Sequence, residues 1–315
     1  RLSRQQRTNQ VIAQRLVSAL THRNFCIPAA PPMTHDQPLR ANQGWAAGAS
    51  HHPLMTSGSI TSGRFSPDGQ LVLTSSRDGT AVLWKCQTCQ AMVTLRHSDE
   101  VYWADFSPDG QRVITACRDH RAYIWSASDG QLLTSPLPHA GPVTFVQFSP
   151  DGERVVTASE DGTASIWGAA TGELIAGPLK HSDTVVSARF SNDGRWIVTA
   201  SYDKSARVWD AQTGQPRTPS LKQSNALFFA NFSPDGQNVV AGGFAWRVSV
   251  WNSSSGSPII NSVDHQENIW AAAFTANSKL VLSAGADNKV RFWDAVEGKS
   301  LPRFILHRGP VQALA

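Results

Sequence analysis

The sequence repeats itself about every 42 residues, and this period constrains the fold more than any other feature. The pentapeptide FSPDG occurs at 65–69, 106–110, 148–152 and 232–236, with FSNDG at 190–194 and FTANS at 274–278. Such a period is typical of repeat proteins, in which each unit is a small group of elements stacked on its neighbours. The residues that define it are Phe65, Phe106, Phe148, Phe190, Phe232 and Phe274; Trp84, Trp125, Trp167, Trp209, Trp251 and Trp293; and His97, His139, His181, His265 and His307.

Each unit is predicted to form four short strands. In residues 181–222 the segments VVSARF, RWIVTAS and ARVW are separated by the turn segments SNDG and YDK, and the turn DAQTGQ follows the third. SPDG has the composition of a tight turn that ends in a left-handed residue. Short strands with turn signals about every 8–12 residues indicate an all-β protein. Four-stranded sheets that must bury their faces on neighbours form a propeller when they stack in a ring.

These residues resemble the WD-repeat β-propeller family. Its pattern is a His early in the unit, an Asp in the turn between the second and third strands, and a Trp-Asp pair ending the third strand, as at Trp209-Asp210 and Trp293-Asp294. The resemblance covers about residues 53–315 and implies an all-β propeller of four-stranded antiparallel blades. Six repeats are complete and a seventh begins at 307–315, so we predict seven blades, closed by pairing with residues around 40–55. The regular spacing also looks like that of bacterial members.

The resemblance implies that the recurring polar residues form a structural network. A Ser-His-Asp set is typical of a nucleophile triad, but an active site forms once, whereas this set recurs in successive units. The family pattern instead links His to Asp through a hydroxyl, and to the Trp Nε1–H, so that buried polar groups are satisfied. The expected members are His97, Asp119, Trp125, His139, Ser159, Asp161, Trp167, His181, Ser201, Asp203, Trp209, His265, Asp287 and Trp293, with Cys117 in place of Ser in the second unit.

The fifth repeat departs from the pattern, with Gln223, Gly243 and Ala245 in place of His, Ser and Asp. We expect this unit to serve a different surface. In the family, partners contact the face that carries the turns between second and third strands and the starts of the first strands. Aromatic side chains gather there in units four to six, a composition typical of binding hot spots, although these rings could instead pack between blades. The predicted partner-binding residues are Tyr102, Tyr202, Phe228, Phe244, Trp270, Arg77, Arg118 and Glu160.

The expected function is a non-catalytic protein–protein interaction scaffold that binds a protein or an extended peptide with an acidic portion. The alternative is a regulatory or sensory propeller of a larger multidomain protein, such as a bacterial protein kinase. Catalysis in the propeller would require one unique polar cluster in the central channel, and we identify none in the sequence. No phosphate-loop, dinucleotide or HExxH motif occurs, so we predict no cofactor. Cys86 and Cys89 form a CxxC pair without the further ligands that zinc requires, so we predict no metal.

The net charge of +4 is concentrated at the N-terminus. Residues 1–55 carry six Arg and one Asp, a charge of +5, which leaves −1 for the rest. A nearly neutral body lacks the electrostatic footprint of nucleic-acid binding. No apolar run reaches the roughly 20 residues that span a bilayer. We therefore predict neither nucleic acid nor membrane as a partner, and a cytoplasmic location because no signal peptide is visible.

Residues 1–52 lie outside the repeat and are predicted to form an N-terminal extension, followed by a propeller at 53–315. Within it, 9–20 has the spacing of a short amphipathic helix, and 27–38 is a Pro-rich linker. The basic helix could contact acidic lipids or nucleic acid, or pack against the body. The chain begins at Arg1 and stops one residue before the next expected Phe, so we expect a fragment of a longer polypeptide.

Overall fold

The computed structural model describes residues 57–244, 246–262 and 265–311. They form six antiparallel sheets of four strands, and no helix occurs among them, so none that could cross a membrane. In each sheet, here called a blade, the strands are hydrogen-bonded side by side in chain order. Blades one to three comprise β1 (Ile60–Phe65), β2 (Leu71–Ser76), β3 (Thr80–Lys85), β4 (Ala91–Arg96); β5 (Val101–Phe106), β6 (Arg112–Cys117), β7 (Arg121–Ser126), β8 (Leu137–Pro138); and β9 (Val143–Phe148), β10 (Arg154–Ser159), β11 (Thr163–Gly168), β12 (Leu174–Lys180).

The second half of the chain continues in the same order. Blades four to six comprise β13 (Val185–Phe190), β14 (Trp196–Ser201), β15 (Ser205–Asp210), β16 (Leu221–Lys222); β17 (Leu227–Phe232), β18 (Asn238–Gly243), β19 (Val248–Asn252), β20 (Pro258–Ser262); and β21 (Ile269–Phe274), β22 (Leu280–Gly285), β23 (Lys289–Asp294), β24 (Ser300–Leu306). The first strand of each blade is its inner strand, because inner strands of successive blades contact one another. The predicted all-β propeller with six complete repeats is confirmed, and residues 307–311 begin a seventh.

The SPDG segments build the turn between the first two strands of a blade. In blade two, Ser107 Oγ donates to Asp109 Oδ1 at 2.5 Å, and Gly110 N donates to Ser107 O at 2.9 Å. Gly110 has a φ of 71°, a left-handed conformation that glycine adopts without the Cβ clash of other residues. Blade six has Ser278 at this position with a φ of 59°, so the same turn is strained there.

The apolar core lies between the blades rather than within them. The cluster between blades one and two joins Leu73, Leu83 and Leu95 to Phe106 and Val113. Four similar clusters follow, one at each junction up to blade six. Each blade therefore depends on its neighbours for burial, as expected for stacked repeats.

The junction between blade six and blade one differs from the others. No packing comparable to that of neighbouring inner strands joins β21 to β1 within the described residues. Ile305 is 50% exposed and Phe65 is 43% exposed. At the repeat position of Ile305, Leu95, Leu137, Leu179 and Leu221 are at most 2% exposed. At the position of Phe65, Phe106, Phe148 and Phe190 are at most 8% exposed, whereas Phe232 and Phe274 are half-buried. Both apolar faces are thus available to a seventh blade, but its predicted pairing with residues 40–55 and the boundary at residue 52 lie outside the described residues.

Candidate protein-interaction face

Every inner strand carries a β-bulge at its second residue. The register of the ladder to the next strand shifts between Val101 and Trp103, between Leu227 and Phe229, and between Ile269 and Ala271, with equivalent shifts in the other blades. A bulge inserts an unpaired residue and redirects its side chain. The sequence pattern does not reveal these bulges. The bulge residues are Thr61, Tyr102, Thr144, Val186, Phe228 and Trp270.

The residue that follows each second strand is held beside the start of the inner strand. Tyr202 N donates to Thr184 O, and Phe244 N donates to Ala226 O, both at 3.0 Å. Arg77, Arg118 and Glu160 occupy the same position in blades one to three and make the same type of backbone hydrogen bond. Hence the two sets of residues that the sequence singled out lie at one end of the inner strands, which we call the bulge face.

Four aromatic residues meet on the bulge face across blades four to six. The ring of Phe228 lies 5.4 Å from that of Trp270 in a stacked arrangement, with an interplanar angle of 11°. It lies 4.3 Å from Phe244 and 6.5 Å from Tyr202, both edge to face. All four side chains are half-buried, and Phe228 also packs on the core between blades five and six. We call these four residues the aromatic cluster.

The arginines of blades one and two lie beside acidic side chains, although Arg77 Nε and Nη2 make no hydrogen bond with a described residue. Arg77 Nε lies 3.9 Å from Glu100 Oε2, while Arg118 Nη1 lies 3.6 Å from Glu100 Oε1 and 3.8 Å from Asp99 Oδ1. Burial raises the pKa of Tyr102, with the carboxylates of Glu160 and Glu100 adding to the shift. The acidic side chains therefore balance the arginines, and the expectation of an acidic ligand segment here is not supported by the local charge.

The predicted link from His to Asp through Ser159 or Ser201 does not form; His and Trp instead share the hydroxyl two residues earlier on the second strand. In blade three, His139 Nε2 and Trp167 Nε1 both bond Thr157 Oγ1, at 2.7 and 2.9 Å. Thr199 in blade four and Ser283 in blade six have the same role. Ser159 instead donates to Gly141 O and accepts from Asp161 N. Ser201 does likewise with Asp183 O and Asp203 N.

The histidines of blades three, four and six also contact the turn aspartates. The Nδ1–carboxylate distances are 3.2 Å for His139–Asp161, 2.8 Å for His181–Asp203 and 3.1 Å for His265–Asp287. These contacts hold the turn between second and third strands against the chain that enters the inner strand. Because the same network forms in separate blades, its geometry is that of a structural latch rather than of a single reactive centre.

Blade two modifies this latch. Tyr123 Oη donates to Asp119 Oδ2 at 2.6 Å, and His97 Nδ1 lies 3.3 Å from Gly79 O instead of bonding the aspartate. Burial lowers the pKa of His97 to about 4. Trp125 and His97 still share a hydroxyl, which Thr115 supplies. Asp119 still binds the chain that enters the inner strand, because Ser98 Oγ donates to its Oδ2 at 2.6 Å, but it is not hydrogen-bonded to His97.

Blade five has no histidine to complete the latch. Gln223 takes the histidine position, and its Nε2 donates to Ala241 O at 3.2 Å. Its Oε1 is buried without a hydrogen-bond partner. Ala245 lies outside the described residues. Two members of the aromatic cluster, Phe228 and Phe244, belong to this blade without a histidine latch.

The CxxC pair lies in the turn between β3 and β4. Burial raises the pKa of the Cys86 thiol, which disfavours the thiolate needed for metal binding or redox chemistry. Among the described residues, no group of three or more His, Cys, Asp or Glu side chains is placed to hold a metal ion. His51 and His52 lie outside these residues.

The central channel holds one polar cluster that the sequence analysis missed. Arg64, Asp105 and Arg189 occupy one repeat position on the inner strands of blades one, two and four, and Arg64 Nε lies 3.9 Å from Asp105 Oδ1. The channel therefore does contain a polar cluster, contrary to the expectation from the sequence. Their common position in the repeat was visible in the sequence, but the approach of Arg189 in blade four to Arg64 and Asp105 in blades one and two was not.

The six blades and the His–hydroxyl–Trp networks define a WD-repeat β-propeller. Residues 101–295, well over half of the 315-residue chain, match the family described as IFT122 first beta-propeller, and the chain belongs to this family. Residues 49–85 match the WD domain, G-beta repeat. A comparison with curated proteins gives no match. WD-repeat propellers generally act as scaffolds for protein interaction and are generally non-catalytic.

Proposed function

We propose that this chain is a non-catalytic scaffold that binds a protein partner through an extended peptide on the bulge face, with apolar anchors on the aromatic cluster. The observation that carries this proposal is the convergence of Tyr202, Phe228, Phe244 and Trp270 at one end of three neighbouring blades. Half-buried rings that contact one another offer contact area at a low entropic cost, which is the usual composition of a binding hot spot.

The apolar anchors, rather than charge, are expected to decide affinity. Arg77 and Arg118 already face Glu100 and Asp99, so a ligand carboxylate would have to compete with existing ion pairs. Exposed or partly exposed charge pairs contribute little to affinity and mainly affect association rates. We therefore drop the acidic segment from the proposed ligand and keep Tyr102, Arg77, Arg118 and Glu160 as a polar rim.

The wider assignment rests on the same surface. A propeller that serves as a regulatory or sensory domain of a larger protein would bind its partner on this face too. Three points stay predictions: the larger protein is a bacterial kinase, the chain is a fragment, and its location is cytoplasmic.

The test is selection from a phage-displayed random peptide library on the immobilised chain, followed by affinity measurement with the selected peptides. We expect peptides with aromatic or large aliphatic residues to be enriched. A Tyr202→Ala, Trp270→Ala double variant should bind them at least about tenfold more weakly, since hot-spot truncations typically cost more than 1 kcal/mol. Phe228 is left intact because it packs on the core.

The matched control is Leu174→Ala. Leu174 begins the outer strand β12 of blade three, away from the bulge face, with 52% of its surface exposed. This variant should keep the affinity of the unmodified chain. Equal binding by the Tyr202→Ala, Trp270→Ala protein, with an unchanged melting temperature, would place the binding site elsewhere and contradict the proposal.

A further inference from the structure

Two arginines face one carboxylate in the central channel. Arg64 lies 3.9 Å from Asp105, whereas Arg189 forms no ion pair within 4.0 Å with any described residue. Asp105 and Arg64 nevertheless lie close enough to Arg189 to influence its charge. With Asp105 ionised, the cluster carries one positive charge that is not neutralised.

Stacking on aromatic rings fixes both guanidinium groups. The Cζ of Arg64 lies 4.8 Å from the ring centroid of Trp103, and that of Arg189 lies 4.7 Å from the ring of Phe145. The two rings are themselves 4.8 Å apart. Because stacking uses the face of a guanidinium, its N–H groups stay available in the plane for hydrogen bonding.

Three donors on these inner strands are buried without a hydrogen-bond partner among the described residues. They are Arg189 Nε, Trp103 Nε1 and Ser187 Oγ. Buried polar groups are nearly always hydrogen-bonded, so each unpaired one requires an explanation. An indole N–H and a guanidinium N–H can only donate. A group that satisfies these two N–H donors must therefore be a hydrogen-bond acceptor.

A cavity at the end of the propeller opposite the bulge face reaches Asp105 of the cluster, whereas Arg64, Arg189 and Trp103 do not line it. It has a volume of about 290 Å³ and lies among the SPDG-type turns of blades one to four, with Asp105 and Gln147 in its wall. Ring side chains also line it, including Phe106, Phe148 and Phe190. This volume exceeds the roughly 30 Å³ share of one water molecule about tenfold.

We propose that the central channel binds one small oxyanion of the phosphate or carboxylate class between Arg64 and Arg189, with Trp103 Nε1 as a further donor. Guanidinium groups are suited to such ions because their paired N–H donors match two oxygens. Burial raises the pKa of Asp105, while the charges of Arg64 and Arg189 act in the opposite direction. Burial and Arg64 lower the pKa of Arg189 only to about 10, so it stays cationic at neutral pH.

The test is isothermal titration calorimetry of the full chain with sodium phosphate and, separately, with sodium acetate, at constant ionic strength in chloride buffer. We expect one saturable site per chain for at least one of these anions, and the one that binds identifies the class. Arg189→Leu should abolish the binding heat. Arg64→Leu should weaken binding about tenfold or more, because hydrogen bonds to charged groups are lost.

The control is Arg96→Leu, which removes the same charge from an exposed position on the outer strand β4 and should leave affinity unchanged. If Arg189→Leu fails to fold, Arg64→Leu decides, since the Arg64 side chain is 36% exposed and its loss should be tolerated. The proposal is overturned if neither anion binds saturably to the unmodified chain, or if binding is unaffected by Arg64→Leu.

Discussion

Replacement of Thr157 by Val tests the structural role of the latch most directly. Valine keeps the branched shape of threonine but removes the hydroxyl that bonds both His139 Nε2 and Trp167 Nε1. Asp161 accepts from His139 Nδ1, so Nε2 is the acceptor that the Thr157 hydroxyl satisfies. After the substitution, one buried acceptor and one buried donor have lost their partner.

The expected cost follows from these two groups. Thr157 is fully buried and Trp167 is only 6% exposed, so water cannot replace the hydroxyl without opening the blade. Each buried polar group left unsatisfied costs about 1–3 kcal/mol. We therefore expect Thr157→Val to lower the free energy of unfolding by about 2–6 kcal/mol.

Urea unfolding followed by tryptophan fluorescence measures this free energy. Thr157→Ser should retain most of the stability, because Ser283 performs the same role in blade six. Thr94→Val, at an exposed position of β4, should change stability by no more than about 0.5 kcal/mol. If Thr157→Val were no less stable than Thr94→Val, the hydroxyl would not hold the blade together and the reasoning would be refuted.

Two further perturbations address protonation and backbone strain. Because the pKa of His97 is lowered to about 4, only the unfolded chain takes up a proton between about pH 6.5 and 4, so stability falls as the pH falls through this window. In urea unfolding between pH 7 and pH 4, the free energy of unfolding of His97→Gln should fall by up to about 3 kcal/mol less than that of the unmodified chain. The exposed control His307→Gln should show the same pH dependence as the unmodified chain. Parallel curves of stability against pH for all three proteins would contradict this. Ser278→Gly should raise the free energy of unfolding by about 0.5–1 kcal/mol, because glycine relieves the strain of the left-handed conformation. This net gain already allows for the loss of the hydrogen bond from Asp235 N to Ser278 Oγ at 3.3 Å. Gly236→Ser should lower the free energy of unfolding by about 1–2 kcal/mol, because serine is strained in the left-handed conformation. An added Cβ would meet no atom within 4 Å, so a steric clash does not contribute. If calorimetry does not show opposite shifts in melting temperature for Ser278→Gly and Gly236→Ser, strain at this turn is ruled out.

The architecture could be predicted from the sequence because one repeat determines both the strands and their stacking. Phe106 and Trp125 recur at fixed positions, and in the structure each such residue belongs to the same strand of its blade. The junction between blades six and one shows the limit of this reasoning. A repeat predicts what Phe65 and Ile305 would contact in a closed ring, but not which segment supplies the contact.

The candidate site could be predicted only in part. The residues of the aromatic cluster were identified because their repeat positions place them at one end of the blades. The linking hydroxyl was not, because Thr157 and Ser159 are two residues apart on one strand and so point to the same face. Side-chain periodicity alone cannot distinguish them, and their partners are set by distances that only the folded blade provides.

The channel cluster escaped prediction for a different reason. Arg64 and Arg189 belong to blades that are not neighbours, and their proximity follows from ring curvature rather than from the repeat. A sequence with a perfect period still contains such contacts, because a ring brings residues from distant units together at its centre.

The β-bulge at the second residue of each inner strand lets the side chain that faces a partner vary without changing the hydrogen bonds that form the blade. The same backbone irregularity accommodates Thr61, Tyr102, Val186, Phe228 and Trp270, side chains that differ widely in size and polarity. The ladder on either side of the bulge is maintained by backbone hydrogen bonds, whatever side chain occupies it. A propeller of this kind can therefore acquire a new binding preference one blade at a time, because the side chain at each bulge can change while the backbone of the blade stays the same.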